Sequence, residues 1–297
     1  MARQSSPAAE DGYGVAMWIG RTAIYAVLVF FALFFLIPFV VVVFNSIRPY
    51  EEITNFGLVS FPRAVRLENF VEAWSTYCVG GICNGISPYM WNSFLIVVPA
   101  TVLSAALGAL NGYALSLWRF RGDSLLFGAL ILGIFLPHQL KLIPWVITMR
   151  ELGLFNTLTG LVLIHVLQGL SFSTLFFRNY YSTIPIELIK AARIDGAGFF
   201  RIFRRIVLPL SPPIIIVTVI WQFTWTWNEF LYGVTFTRGE SQPVTAALVA
   251  LNVHFDMGVR YYNLGSAAAL MAALPTVLIY LFGGKYFVRG LTAGAVK

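Results

Sequence analysis

Charge is what this sequence has least of. Only 11% of its 297 residues are Asp, Glu, Lys or Arg, 58% are hydrophobic, and mean hydropathy is +0.77. An average globular chain is about 25% charged. So few polar side chains cannot cover a water-facing surface, which excludes a soluble globular protein. Two cysteines exclude a disulfide-dense scaffold and a four-cysteine zinc site. The three histidines, at 138, 165 and 254, are too scattered for an HExxH metal motif. A GxxxxGK[ST] phosphate loop is missing as well: Gly283-Gly284-Lys285 is followed by Tyr286, so the chain does not bind ATP by that route. Neither strand-helix alternation nor a short repeat occurs.

What the chain has is apolar runs long enough to cross a bilayer's hydrocarbon core, about 20 residues each. Six are expected, at about 22–46, 91–117, 125–148, 158–180, 207–230 and 262–284. The first exceeds a signal-peptide core and has no small-residue cleavage site behind it, so it reads as an uncleaved span. The second runs between Trp91 and Trp118, whose indoles suit the two headgroup zones.

Lys and Arg accumulate on the cytoplasmic side, so their distribution sets an expected orientation. With the N-terminus inside, the inner segments hold Arg3, Arg21, Arg119, Arg121, Arg178, Lys190, Arg193, Arg201, Arg204, Arg205, Lys285, Arg289 and Lys297, thirteen of twenty. The outer segments hold Arg48, Arg63, Arg66, Arg150, Arg238 and Arg260, and Lys141 lies within the third run. Both termini are therefore expected inside. The net charge of +7 is then mostly topology, and nucleic acid is not an expected partner. Residues 1–14 read as a disordered tail.

The most polar inner segment is 184–213, IPIELIKAARIDGAGFFRIFRRIVLPLSPP. It reads as two short helices around an Asp195-Gly196 turn, with Pro185 suited to starting the first and Pro209, Pro212 and Pro213 ending or kinking the second. The second helix places Phe199, Ile202 or Phe203, Ile206 and Leu210 on one face and Arg201, Arg204 and Arg205 largely on another. Periodicity alone is equally served by an amphipathic helix whose arginines meet anionic lipid.

Its spacing, however, resembles the EAA loop of the permease subunits of binding-protein-dependent ABC importers: EAA, three residues, Gly, nine residues, Ile, one residue, Leu-Pro. Here Lys190-Ala191-Ala192 is followed at those intervals by Gly196, Ile206 and Leu208-Pro209, with Ala197 and Phe203 between. The lead glutamate is replaced by Lys190, while Glu187, one turn earlier, is kept. Further resemblance lies in Trp91-Asn92-Ser93, Tyr113-Ala114, Phe120-Arg121-Gly122, residues 137–144 (PHQLKLIP), Leu152-Gly153-Leu154, Asn156-Thr157, Trp227-Asn228-Glu229-Phe230 and the tail at 288–297. Together these look like the maltose-type carbohydrate branch, in its shorter six-span subunit.

The resemblance implies an all-α polytopic bundle with the type I importer permease fold: a tail at 1–21, then a permease domain at 22–297 that includes the loop at about 184–213. It also implies a second permease subunit, two cytoplasmic ATPase subunits seated on the loop, and an external sugar-binding protein, all at a bacterial or archaeal inner membrane with its lipid. ATP and Mg would be held by the partner ATPases, with no cofactor on this chain. Asp195 would cap the following helix or meet a cation on the ATPase.

Cys78 and Cys83 fall in an expected outer loop, CVGGIC, in an oxidising compartment where the two glycines let the chain fold back, so a disulfide is expected, with two small free thiols as the alternative. Glycine and cysteine at similar places resemble a glucose and mannose group of the branch; an α-glucoside is the other sugar considered. Polar residues inside spans serve packing or a path. Asn111, His165 and Gln168 read as helix-to-helix glue. His138, Gln139, Lys141, Gln222, Trp225 and Asn228 read as path candidates, although Trp221, Trp225 and Trp227 fit an interfacial aromatic belt equally well. The competing functions are an importer of another small polar solute, a secondary transporter, which usually shows repeats and ion-coupling carboxylates, and a membrane-embedded enzyme, which needs converging catalytic groups.

Overall fold

The computed structural model describes backbone residues 7–253 and 261–292. In chain order the helices are α1 (Pro7–Ser46), α2 (Tyr50–Phe56), α3 (Glu68–Ser75), α4 (Ser87–Ser116), α5 (Asp123–Phe135), α6 (His138–Glu151) and α7 (Leu158–Tyr181). They continue with α8 (Ile186–Ile194), α9 (Phe199–Ile202), α10 (Pro212–Asn228), α11 (Leu231–Phe236), α12 (Val244–Val253) and α13 (Tyr262–Thr292). Two compact units emerge, Met1–Phe70 with Tyr261–Leu270, and Val71–Arg260 with Met271–Lys297.

Among the described residues, four helical stretches are long and apolar enough to cross a membrane: Gly20–Ser46, Ser87–Ser116, Leu158–Tyr181 and Tyr262–Gly284. The count of six is reached when two bent pairs each serve as one span. The run expected as a single helix at 125–148 is two helices, α5 and α6, bent by 104°. The break has a local cause: a residue before proline is pushed out of the helical region, and Leu136 ahead of Pro137 is extended at ψ 119°. The run expected at 207–230 is also broken. Residues 199–210 meet α10 at 80°, at the Pro212-Pro213 start. The tail expected to be disordered at 1–14 is helical from Pro7 on, and residues 1–6 lie outside the described residues. So do His254, Arg260 and the end of the 288–297 motif.

In the first unit every described residue of α1 from Gly20 to Val40 is exposed. Just past α1, the fully buried Arg48 gathers acceptors: Glu52 Oε1 at 2.9 Å, Asn45 Oδ1 at 3.1 Å, the Ser60 carbonyl at 3.0 Å and Ser60 Oγ at 2.6 Å. Asn69 donates to the carbonyls of Ser46 and Arg48 and accepts from Asn263 at 3.0 Å, which ties the start of α13 to the end of α1. A buried cation is tolerable when its donors are filled, as these are.

Burial alone would raise the Glu52 carboxyl, but hydrogen bonds from the N–H groups of Arg63 and Ala64, with the Arg48 guanidinium, hold its pKa below the ordinary 4.5. A carboxyl lowered on folding adds stability that is present above its ordinary value and lost as pH falls through the folded value. Glu52→Gln should therefore cost on the order of 3 kcal/mol at neutral pH, because Arg48 loses its partner. Thermal unfolding of the purified protein should show that difference shrinking below pH 4.5; a constant difference would refute the assignment.

In the second unit α4 and α7 form the core. Between apolar helices in lipid, association relies on close packing rather than on a hydrophobic drive, so small residues belong at the contact. Gly108 and Gly112 of α4 meet α7 directly: a Cβ at Gly108 would lie 2.4 Å from Ser173 Cβ, and one at Gly112 2.6 Å from Phe177 Cβ. Ser104 adds a hydrogen bond to the Val166 carbonyl. Trp227 of α10 donates to the Ala272 carbonyl of α13 at 2.9 Å. Cys78 and Cys83 are joined as a disulfide around the paired Val79 and Ile82. Gly80 and Gly81 both have positive φ, as a two-residue hairpin turn requires.

Candidate functional site

The bend in the third run builds one side of the site. The broken α5–α6 corner places His138 and Gln139 at the first turn of α6, beside the last turns of α10. Together they line a cavity of about 520 Å³, whose wall also carries Trp221, Thr224, Trp225, Asn228 and Glu229. That volume lies within the range of small-molecule sites, about 300 to 1,000 Å³. One side is a row of rings: Phe172 on Trp221 at 4.5 Å, Trp221 stacked on Trp225 at 5.8 Å and 8°, and His138 against Trp225 at 5.4 Å. Trp225 is 41% exposed.

The charged groups nearby are occupied. Glu229 accepts from the backbone N–H of Tyr232 at 2.9 Å and of Gly233 at 3.3 Å, capping α11. Lys141 lies beside the main cavity in a small recess with Gln168, and its ammonium donates to Gln168 Oε1 at 2.7 Å. Gln168 Nε2 donates to the Tyr232 hydroxyl, which stands 3.2 Å from His138 Nδ1.

Of the six sequence candidates, His138, Gln139, Trp225 and Asn228 line the cavity, and Lys141 stands behind it. Gln222 does not join them. It is fully buried between α7 and α10, donates to the His165 carbonyl at 3.3 Å and to Thr226 Oγ1 at 3.2 Å, and fills the space that only a glycine at 169 leaves open. Its surroundings are those of a packing residue. Asn228 donates to its own helix at Thr224, so its amide oxygen is the group free of that bond. Thr224 escaped sequence reasoning, its place one residue before Trp225 and one turn before Asn228 being the available signal, and Phe230 was read only as part of the Trp227-Asn228-Glu229-Phe230 motif.

Segment 184–213 forms two short helices about a turn. Pro185 stands just before α8, which begins at Ile186, and Asp195 ends it at its C-terminal boundary. Gly196 then takes φ +78°, a conformation that favours glycine. Asp195 is thus not the N-cap of the following helix; Gly198 holds that place. On the inward face Ile189, Ile202 and Val207 are fully buried with Tyr113, Phe177 and Tyr181 of α4 and α7, and Ala192, Ala197, Phe199, Phe203 and Ile206 pack against them. Burying an Ile side chain contributes about 1.5 to 3 kcal/mol, so this segment is seated firmly.

Residues 203–207 form a π-turn, and Val207, five positions after Ile202, takes the next buried place. Leu210, expected on that face, is 43% exposed. Arg193 stacks on Trp118 at 3.9 Å and donates to the Leu117 carbonyl at 3.3 Å. The outward face exposes Glu187, Lys190, Ala191 and Asp195, together with Leu208 and Pro209. Ile194 at 87% and Phe200 at 72% exposure flank the Gly196 turn, and both were missed by reading the motif alone. Exposed apolar groups with a charged rim mark a contact surface for protein or membrane.

Residues 100–292 match the family described as binding-protein-dependent transport system inner membrane component. The chain belongs to that family. It is similar to two probable ABC transporter permease proteins of Pyrococcus horikoshii. One is 46% identical over 180 residues, 60% of this chain and 64% of the relative; the other is 33% identical over 263 residues, 88% and 92%. The xylose/arabinose import permease protein of Haloferax volcanii is 30% identical over 296 residues, 93% of each. Among solved structures, a bacterial ABC transporter involved in import of the acidic polysaccharide alginate shares the fold at TM-score 0.74 and 20% identity, over 96% of this chain and 100% of that one.

This permease is a multi-pass membrane transport subunit and not an enzyme. Several of its motif residues hold joints between elements. Asn92 donates to the Gln242 carbonyl and Ser93 accepts from Val244 N–H, which bind the start of α4 to the start of α12. Asn156, at φ +61°, accepts from Arg238 N–H, and Thr157 caps α7 through Gly160 N–H.

Proposed function

We propose that this chain is one of two permease subunits of an ATP-driven carbohydrate importer, and that the cavity at the α5–α6 corner is its share of the translocation path. The single observation that carries the sugar reading is the wall itself. The partly exposed indole of Trp225 suits a sugar ring, and His138, Gln139, Thr224 and Asn228 offer hydrogen bonds to hydroxyls. The nearest charges are consumed by internal bonds, which suits a neutral solute. Relatives named for xylose/arabinose, diacetylchitobiose and alpha-glucoside transport support the class. Glucose, mannose and an α-glucoside are the sugars this reading considers first.

In this reading the second permease subunit closes the other side of the path and an external binding protein delivers the sugar. Two ATPase subunits, holding ATP and Mg, grip the outward face of α8 and the Gly196 turn; Ile194 and Phe200 enter their groove, with Glu187 and Lys190 at its rim. Because Ile189, Ile202 and Val207 fasten the same segment to α4 and α7, a pull on the loop moves those spans rather than bending the loop. Both termini lie in the cytoplasm of a bacterium or archaeon, and the Cys78–Cys83 disulfide lies outside, where it stays oxidised.

The test is uptake by vesicles carrying the complete transporter, offered xylose, arabinose, glucose, mannose and maltose. At least one sugar should be accumulated, and Trp225→Ala should raise its KM about three- to ten-fold, the worth of one ring contact. Accumulation of an amino acid or phosphate and of no sugar would overturn the substrate class.

A further inference from the structure

We infer that Tyr232 and Gln168 are positioning residues that fix His138 as a neutral hydrogen-bond donor, its Nε2–H turned to the cavity. This rests on the path reading above for what the donor meets, but not for the tautomer itself.

The chain of bonds has one direction. Lys141 carries only donors, so its bond to Gln168 fixes Oε1 as acceptor and leaves Nε2 as the group facing Tyr232. Gln168 Nε2 donates to the Tyr232 hydroxyl oxygen. The hydroxyl hydrogen then needs an acceptor, and Tyr232 is buried at 1% exposure, out of reach of water. Among the described residues the one remaining group bonded to that hydroxyl is His138 Nδ1, 3.2 Å away. If Nδ1 carried the proton, the hydroxyl would accept twice and its own hydrogen would be stranded, a costly arrangement for a buried donor. With Nδ1 as acceptor, the ring's proton resides on Nε2, the nitrogen with no bond to the protein. The second ring nitrogen of a histidine is commonly specified in this way, by the bond that the first one makes.

The geometry also fixes the ring's plane. His138 lies against Trp225 at 5.4 Å and edge-on to Tyr232 at 5.9 Å, which leaves it little freedom to flip. Lys141 contributes from behind, because its ammonium orients the Gln168 amide. The cavity is thereby offered a donor without a charge, matched to a hydroxyl or ring oxygen rather than to an anion.

Two measurements test this. In the full-length chain, ¹⁵N-histidine-labelled in lipid nanodiscs at pH 8, the His138 signals can be identified by their loss in His138→Gln, since only three histidines are present. We expect the Nε2–H tautomer in the wild type and a shift towards Nδ1–H in Tyr232→Phe. A wild-type Nδ1–H tautomer, or one unmoved by Tyr232→Phe, overturns the inference. The second measurement is uptake by the complete transporter of the best sugar from the panel above. A glutamine amide can stand in for Nε2–H, so His138→Gln should stay within about two-fold in KM. His138→Ala and Tyr232→Phe should each raise KM about three- to ten-fold, with maximal rate little changed. Adding Tyr232→Phe to His138→Gln should then cost nothing more, because glutamine needs no tautomer set for it. An equal further loss in that double variant would show Tyr232 to be a packing residue only and overturn the inference. Normal uptake by His138→Ala, with the tautomer as expected, would instead overturn the path reading and leave the bond assignment standing.

Discussion

Gly196→Pro is expected to abolish ATP-driven uptake while the protein still inserts and folds. Gly196 sits at φ +78°, and proline is locked near −65°, so the turn between α8 and α9 cannot form. Nothing lies within 4 Å of the position a Cβ would take, so the damage is conformational and stays in the exposed turn. Ile194 and Phe200, on either side of it, would no longer present one surface. Gly196→Ala should lose only part of the activity, since a left-handed alanine costs about 1 to 2 kcal/mol. Ala191 and Ala192 separate two causes of failure. Ala191 is exposed, so a bulky residue there obstructs docking alone, whereas Ala192 packs against the Ile189 cluster, and a charge there also loosens the seat. Membrane level, recovery of the ATPase subunits and uptake should be measured together. Normal uptake in Gly196→Pro would remove the coupling role.

The second large effect is expected at the α4–α7 contact. Gly112→Leu should prevent recovery of folded protein, and even Gly112→Ala should destabilise it by about 3 kcal/mol, the upper part of the usual overpacking range. A Cβ there would stand 2.7 Å from the Arg178 backbone nitrogen and 2.9 Å from the Phe177 carbonyl carbon, and backbone cannot step aside as a side-chain tip can. Gly128 of α5 is the internal control, with nothing within 4 Å of its would-be Cβ, so Gly128→Ala should be neutral or slightly stabilising. Thermal unfolding in detergent compares the three proteins. Equal stability of Gly112→Ala and the wild type would mean that the two helices do not touch at this point.

The Gly108-xxx-Gly112 spacing was present in the sequence, yet it names only one partner of a contact. The spacing says that α4 carries a small-residue face; it does not say that Ser173 and Phe177 meet it. The polar residues show the same limit. Gln139 and Gln222 are both glutamines in apolar runs, and composition treats them alike. Gln139 opens a helix at a bend and reaches the cavity, while Gln222 lies beneath the surface against Gly169. Glu229 read as part of a motif, and its carboxylate is spent on capping α11.

Much was determined by the sequence alone because it depends on neighbours along the chain. Apolar runs of bilayer length, the prolines at 209, 212 and 213 that end or kink a helix, the glycine needed for a left-handed turn, and a motif with fixed intervals all act within a few residues. They were sufficient for an all-helical membrane protein of this family. Only the tertiary structure decided that Pro137 bends a presumed span by 104° into a cavity corner, that Arg48 is buried in an ion-paired knot rather than left at the surface, and that Tyr232 joins Gln168 to His138. Those outcomes depend on which donors lie within about 3 Å of which acceptors once α6, α7 and α11 are packed, and residues 64 and 94 positions apart carry no local trace of that meeting.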